Sequence, residues 1–205
     1  MIRFRILGAG GAIPTPTHTP AAYWVTVDGT AILMDPGPGA LVRLVQSGDA
    51  PSGVDEIGIV LLTHLHPDHC CDLVALLFAL HSPLTNSHEP LQLFGPIGLQ
   101  AYLDQLKGIY GRWLQPRHRQ LKVTEWPAGH QLDLPGGGTV RPFAVDHPQD
   151  RFADGNCLGY RFADTEGHTA VFSGDTGPCS GLEEAAREVD LLVVECSAPE
   201  GLGVP

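Results

Sequence analysis

The sequence predicts an α/β protein, in the broad sense that includes α+β, in which helices cover the faces of β-sheets. Short apolar runs of strand length recur along the chain, and helix-length apolar segments lie between some of them. Turns should be frequent, because the chain contains 25 Gly and 18 Pro. A hydrophobic content of 43% in 205 residues is enough for a sizeable core. We therefore expect a single domain over residues 1–205.

The first fifty residues predict a strand, a hairpin and a short helix. Residues 2–7 alternate apolar and basic side chains, as a half-buried strand does. Two further strand-like runs, at 23–27 and 30–34, flank the dipeptide Asp28-Gly29, which is typical of two-residue hairpin turns. A short helix at 40–46 should end at Ser47-Gly48.

The rest of the chain alternates strands with helices. Strands are predicted at 57–62, 91–94, 121–126, 131–134, 139–145, 158–163, 169–173 and 191–195, and helices at 73–80, 97–109 and 182–188. The run at 191–195 is apolar up to its last residue, so we expect a strand buried in the core.

Charge and cysteine content restrict the class of protein. The formal net charge of -11 argues against general affinity for polyanions, which depends on Lys and Arg. Five cysteines, an odd number, do not suggest a disulfide framework and favour a reduced, cytoplasmic protein. No signal peptide is evident, because a strand pattern starts at once. No apolar run approaches the ~20 residues of a membrane span.

The segment between the strand at 57–62 and the helix at 73–80 concentrates metal-ligand side chains, namely His64, His66, Asp68 and His69. In an extended loop His64 and His66 project to the same side, since the side-chain period is two. Asp68 and His69 follow the turn at Pro67 and can face a second ion. Imidazole and carboxylate together suit Zn²⁺ and similar ions. The segment therefore predicts a paired-metal site that activates water; the alternative is a solvated polar loop.

Two later residues stand where predicted strands end. His147 follows the strand at 139–145, and Asp175 follows the strand at 169–173. Each alone is more often a turn residue, so their interpretation as ligands depends on the first motif.

With these motifs the chain resembles the metallo-β-lactamase superfamily, in the branch of ribonuclease Z and related phosphodiesterases. The matching stretches span nearly the whole chain: residues 7–15, 35–39, 63–69 and 94–96, His147, Gly174-Asp175-Thr176, Asp190-Leu191-Leu192 and Glu195. The histidine motif is the specific one, and the other stretches are individually weak.

The resemblance implies an αββα sandwich with two metals at one edge of its sheets. It implies that one ion is bound by His64, His66 and His147, that Asp68 and His69 help to bind the other, and that Asp175 bridges them. It also implies that Asp35 orients a ligand histidine, and that the protein forms a homodimer.

The sequence departs from the family in three ways. The family carries another ligand histidine after the strand near Glu195, followed by helices, but no histidine follows His168 here. We therefore expect a sandwich that lacks its C-terminal end. No Gly-rich basic arm for transfer RNA stands between His69 and His147, and His18 occupies a loop where an Arg-Asn pair is expected. RNA is thus a less favoured substrate than a small or nucleotide phosphodiester.

The sequence-based hypothesis is a metal-dependent hydrolase, in particular a phosphodiesterase that uses a metal-bound hydroxide, with Asp68 as the catalytic carboxylate. Two divalent ions are expected, with zinc favoured and manganese or iron as alternatives. Hydrolysis of an ester, lactone or thioester is the alternative chemistry. A non-catalytic metal-binding protein is the alternative of another class.

A basic cluster stands apart from these motifs and comprises Arg112, Arg117, His118, Arg119 and Lys122. It predicts either a contact with a substrate phosphate or RNA backbone, or a solvated face. Trp113 beside it is expected in a core or interface, with stacking on a base as the alternative.

Overall fold

Two β-sheets pack face to face in the computed structural model, which describes residues 1–147 and 157–196. The strands are β1 (Ile2–Gly8), β2 (Ala22–Val27), β3 (Thr30–Met34), β4 (Ile59–Leu61), β5 (Leu91–Gly95), β6 (Leu121–Glu125), β7 (Leu132–Asp133), β8 (Thr139–Val145), β9 (Cys157–Ala163), β10 (Thr169–Phe172) and β11 (Leu191–Val193). The helices are α1 (Ala40–Ser47), α2 (Pro67–Cys70), α3 (Asp72–Leu80), α4 (Leu99–Tyr110) and α5 (Ser180–Ala185), with 3₁₀ turns at Gly53–Glu56 and Gly111–Leu114.

The first sheet has the strand order β1-β2-β3-β4-β5-β6. Strands β1, β2 and β3 are antiparallel, and β3 to β6 are parallel. The predicted turn between β2 and β3 is present, with φ of 46° at Asp28 and 82° at Gly29, as a type I′ turn requires. Because β3 and β4 run in parallel, the loops that follow them both start at the carboxyl ends of the strands.

The second sheet has the order β11-β10-β9-β8-β7 and is antiparallel except for the pair β10 and β11. Its inner face packs on the first sheet through an apolar layer that includes Ile32, Leu61, Phe162 and Phe172. Tyr160 is fully buried in this layer, and its hydroxyl donates a hydrogen bond to the Leu62 carbonyl at 2.6 Å. That bond joins the two sheets directly behind the segment at residues 63–69, which we call the histidine loop.

Helices cover the outer faces of both sheets. Leucines of α1, α3 and α4 pack with the outer face of the first sheet in a second core cluster, for which Leu44, Leu76 and Leu103 are typical. Helix α5 lies against β8 so closely that a Cβ at Gly181 would be 2.1 Å from the Ala144 carbonyl oxygen. The layer order is therefore helix, sheet, sheet, helix, which confirms the expected αββα sandwich.

Every predicted strand and helix is present with its ends shifted by two residues at most, except the helix at 182–188. Strand β4 has only three residues of the six predicted, and α5 starts two residues earlier and ends three residues earlier than expected. The prediction of a buried strand at 191–195 is wrong: Leu191 is 44% exposed and Leu192 is 43% exposed. Strand β11 is an edge strand, and an apolar run does not distinguish an edge from a centre.

Within residues 1–147 and 157–196, no helix has the length and apolar character needed to cross a membrane.

Candidate metal centre

The histidine loop leaves the carboxyl end of β4 and turns into α2. His66 is extended, with φ of -66° and ψ of 145°, and Pro67 then starts the helix, where its fixed φ is favourable. His64 and His69 are buried, being 0% and 3% exposed. The chain is thus extended at His66 and turns into a helix at Pro67, so that Asp68 and His69 lie in the first turn of α2.

Three histidines form the first compact group. One ring nitrogen from each of His64, His66 and His147 lies within 4.8 Å of the other two, and His147 Nε2 is 3.1 Å from His66 Nδ1. His147 reaches the group from the end of β8 in the second sheet. Its carbonyl accepts a hydrogen bond from Cys157 Sγ at 3.2 Å, which fixes the backbone there.

A second compact group contains His64, His69 and Asp175. His69 Nε2 lies 3.2 Å from Asp175 Oδ1. Asp175 follows Gly174, which has a φ of 63° and passes so close to Thr63 that an added Cβ would be 2.9 Å from the threonine Cβ. Glycine at this position therefore lets the loop from the second sheet approach the histidine loop from the first.

Asp68 lies at the border of the second group and outside both compact sets. Its Oδ2 is 3.8 Å from His69 Nε2, and its side chain is 18% exposed. Of the six predicted ligands, the structure thus brings five into the two compact groups. The sixth, Asp68, lies beside the second group and is accessible to solvent.

Asp35 holds the histidine loop in place through hydrogen bonds to Thr63 and His69. It is fully buried, and its Oδ2 accepts hydrogen bonds from Thr63 Oγ1 at 2.7 Å and His69 Nδ1 at 2.9 Å, while its Oδ1 accepts one from the Thr63 backbone N–H at 2.8 Å. These bonds leave His69 Nε2 directed at Asp175. A carboxylate behind a ligand histidine is the usual way to fix the ring and its tautomer.

The residues present fit a bound cation. His64 Nε2 is buried and has no hydrogen-bond partner among the described residues, while its Nδ1 lies 2.9 Å from Thr63 Oγ1. A buried nitrogen left without a partner is unfavourable, and a cation would supply that partner. Imidazole and carboxylate are suitable donors for divalent ions such as zinc.

Burial and charge set the protonation of the site in the absence of metal. Burial lowers the pKa of His64 to about 2, so its ring is neutral and able to ligate. Burial also acts to lower the pKa of His69, but its bonds to Asp175 and Asp35 raise it to about 10. Burial acts to raise the pKa of Asp175, and the bond to His69 lowers it to about 2. A divalent cation would replace the proton of His69 as the partner of Asp175.

Two residues that support the site, Thr63 and Glu195, lie in stretches that resemble the family, but the sequence predicts no role for either. Thr63 links Asp35 to His64 through its hydroxyl. Glu195 accepts a hydrogen bond from the Thr176 N–H and donates its own N–H to Ser173 Oγ at 3.3 Å, which holds the loop that carries Asp175. No spacing in the sequence reveals these bonds, because all of them except the contact between the neighbours Thr63 and His64 join segments that only the fold brings together.

Comparison with known proteins agrees with this geometry. A family profile described as "Beta-lactamase superfamily domain" matches residues 30–200. An uncharacterized protein of Mycobacterium tuberculosis is 32% identical over 96% of this chain and 68% of its own length. The ribonuclease Z of Mycobacterium marinum is 33% identical over 94% of this chain and 70% of its own length.

The fold also matches a solved structure. The crystal structure of human tRNase Z, short form, superposes with a TM-score of 0.75 at 23% identity, over 94% of this chain and 76% of that one. With the sandwich, the clustered histidines and these matches, the chain belongs to the metallo-β-lactamase superfamily, in its ribonuclease Z-like branch.

Proposed function

We propose that this protein is a metal-dependent phosphodiesterase. The observation that carries the proposal is that two compact ligand groups share His64 and draw side chains from both sheets. The residues that would hold two divalent ions, for which we propose zinc, are His64, His66, Asp68, His69, His147 and Asp175. Bound there, the ions would polarise a phosphoryl oxygen and lower the pKa of water.

The chain's own residues have separate parts in this proposal. Asp68, solvent-accessible and 3.8 Å from His69, is the carboxylate best placed to orient the attacking water and to accept its proton. Asp35 touches no solvent, and we propose that it acts by positioning His69. The buried His64 keeps a neutral ring at physiological pH, so it can ligate without first losing a proton.

The substrate class is proposed from the relatives and from the chain between His69 and His147. Relatives 31–33% identical are named ribonuclease Z, which supports a phosphodiester substrate. Between the two histidines the described chain consists of α3 to β8 with short connections, without an added arm. We therefore propose a small or nucleotide phosphodiester in preference to transfer RNA.

Hydrolysis assays on protein loaded with zinc, manganese or iron test this proposal. Bis(p-nitrophenyl) phosphate should turn over faster than a lactone or a thioester, and a chelator should abolish that turnover. If an acyl substrate turns over and the phosphodiester does not, the reaction class is wrong. If less than about one equivalent of metal binds after metal-replete expression and no substrate turns over, a non-catalytic role replaces the enzyme.

Asp68→Ala should abolish turnover while the fold is retained, because the carboxylate is partly exposed and supports no buried hydrogen bond that we observe among the described residues. We expect a loss of about 100-fold or more, the scale typical of general acid–base groups. The matched control is Asp104→Ala on the exposed side of α4, which should retain full activity. Unchanged turnover in Asp68→Ala would refute the assigned role.

A further inference from the structure

A cavity lies on the outside of the first sheet and is lined by α4, the 3₁₀ turn at Gly111–Leu114 and the start of β6. Its volume is about 730 Å³, within the range of small-molecule sites. Three of its lining residues are cationic, Lys107, Arg112 and Arg119, and no acidic residue lines it. The chain has only 12 Lys and Arg in total and a net charge of -11, so this local concentration of positive charge is unusual.

Arg119 distinguishes this cavity from an ordinary basic surface. Only 7% of the residue is exposed, and its Nε and Nη1 are buried without a hydrogen-bond partner among the described residues. A guanidinium carries five N–H donors and remains charged in proteins. Burying it without acceptors is unfavourable, so an acceptor in the cavity would stabilise this arrangement.

Two nearby carboxylates do not provide that acceptor. Burial lowers the pKa of Arg119, and the negative charges of Asp55 and Glu89 only partly offset this. Asp55 already accepts hydrogen bonds from the backbone N–H groups of Asn86 at 2.9 Å and Ser87 at 3.3 Å. No ion pair within 4 Å joins Arg119 to either carboxylate in the described part of the chain.

The other two cations are held at the cavity by weak local contacts. The Arg112 guanidinium lies 5.2 Å from the centroid of the Trp113 ring, which restrains its position without neutralising its charge. Lys107 Nζ is 3.9 Å from Asp104 Oδ1 in an exposed pair, which contributes little. Both charges therefore remain available to a ligand.

We propose that this cavity binds a phosphate group, with Arg119 at its base and Lys107 and Arg112 at its rim. Arginine forms paired hydrogen bonds with phosphate oxygens, and two further cations match a dianion better than a single carboxylate. The group would be free phosphate or the phosphate of a mononucleotide.

This site is distinct from the metal centre. Strands β4, β5 and β6 are parallel, and the histidine loop follows the carboxyl end of β4. Arg119 precedes the amino end of β6, where the Gln120 carbonyl accepts a hydrogen bond from the Leu91 N–H at 2.8 Å. Arg119 therefore lies at the opposite end of these parallel strands from the histidine loop. The inference does not depend on the proposed reaction.

Calorimetric titration of the metal-loaded protein at low salt tests the proposal, with inorganic phosphate and 5′-AMP as separate probes. Wild-type protein should show a binding component that persists when the metals are chelated. Arg119→Gln should weaken this component by about tenfold or more, because it removes a charge-assisted hydrogen-bond donor. The matched control, Arg141→Gln on the exposed surface of β8, should leave it unchanged.

Stronger binding of 5′-AMP than of phosphate would identify a nucleotide as the ligand, and equal binding would identify free phosphate.

A double variant provides an independent test in case Arg119→Gln does not fold. Lys107→Gln/Arg112→Gln changes only exposed residues, and it should also weaken the metal-independent component. The proposal is overturned if all phosphate binding disappears on chelation, or if both the double variant and a folded Arg119→Gln bind phosphate as tightly as wild type.

Discussion

At the scale of single residues, Asp35 determines the shape of the histidine loop. Three donors converge on its two oxygens, from the Thr63 backbone, the Thr63 hydroxyl and His69 Nδ1. Its φ of 47° is unusual for a residue other than glycine, which indicates that the surrounding contacts hold it in place. The first residue after β3 therefore fixes a ligand 34 positions later in the chain.

Asp35→Asn should disturb both stability and metal binding. Asparagine has one acceptor oxygen, so at least one of the three donors would face an amide N–H₂ group. We expect the free energy of unfolding of the metal-free protein to fall by about 1–3 kcal/mol, measured by urea denaturation. Metal affinity, measured by competition with a chromogenic chelator, should fall about 10–100-fold.

Asp104→Asn is the control for this substitution, because its side chain is 60% exposed on α4. It should change the free energy of unfolding by less than about 0.5 kcal/mol. If Asp35→Asn matched that control in both measurements, Asp35 would have no positioning role.

Single-residue environments were the hardest feature to predict from the sequence. The basic cluster was expected either to meet a phosphate or to lie on a solvated face, yet Arg119 is buried while Arg117 is exposed. Trp113 was expected in a core or an interface; it is 49% exposed, so it does not lie in the core. Neither residue lies in a periodic segment, and only periodicity reports burial from sequence.

At the scale of elements, the turn after β3 and the start of α2 are in direct contact. A Cβ at Gly37 would lie 2.0 Å from the Asp68 carbonyl oxygen and 2.6 Å from the Ala21 carbonyl oxygen. Both neighbours are backbone atoms, so they cannot move aside as a flexible side chain would. Glycine at position 37 therefore allows α2 to carry Asp68 and His69 into the site.

Gly37→Ala should displace α2 and damage the site. Overpacking against fixed backbone typically costs about 1–3 kcal/mol, so the melting temperature should fall. Phosphodiester turnover should fall by about tenfold or more, because misplacing a catalytic group has large effects on rate. Gly58→Ala is the control, since an added Cβ there meets nothing within 4 Å. Equal melting temperature and turnover in the two variants would show that the contact at Gly37 is unimportant.

The strands and helices were well predicted where a period or a turn dipeptide defined them. The hairpin at Asp28-Gly29 and strand β8 agree with the sequence within one residue at each end. The sequence did not predict the exposure of β11, because burial of an edge strand depends on what packs over it, and apolar content does not report that.

Substitutions in β11 should therefore be tolerated in this 205-residue chain. Leu192→Thr keeps a good strand former at a 43% exposed site, so the free energy of unfolding should change by less than about 0.5 kcal/mol. Leu93→Ala in the centre of β5, where the side chain is fully buried, should cost about 2–5 kcal/mol. Urea denaturation of both variants measures the contrast. Equal losses would mean that β11 is as buried as the sequence predicted.

At the scale of the whole molecule, the metal centre joins the two sheets. His64 and His66 come from the loop after β4 of the first sheet and His69 from α2, which follows that loop, whereas His147 and Asp175 follow β8 and β10 of the second sheet. The sequence predicted these five residues because their types and strand-end positions are visible in it. It could not predict that the two groups share His64, since that depends on how the sheets face each other.

Metal binding should consequently stabilise the sandwich as a unit. An ion that binds only the folded protein, at a hundred times its dissociation constant, contributes about 2.7 kcal/mol. For a chain of this size we expect the melting temperature to rise by about 5–10 °C when zinc is added to chelator-treated protein. His147→Ala and His66→Ala, one from each sheet, should both lose most of that rise, because each removes a ligand from the group that spans the sheets. The control is His130→Ala, an exposed histidine between β6 and β7, which should keep the full rise. If His147→Ala kept it as well, His147 would not be a ligand, and Asp175 would be the ligand that the second sheet contributes.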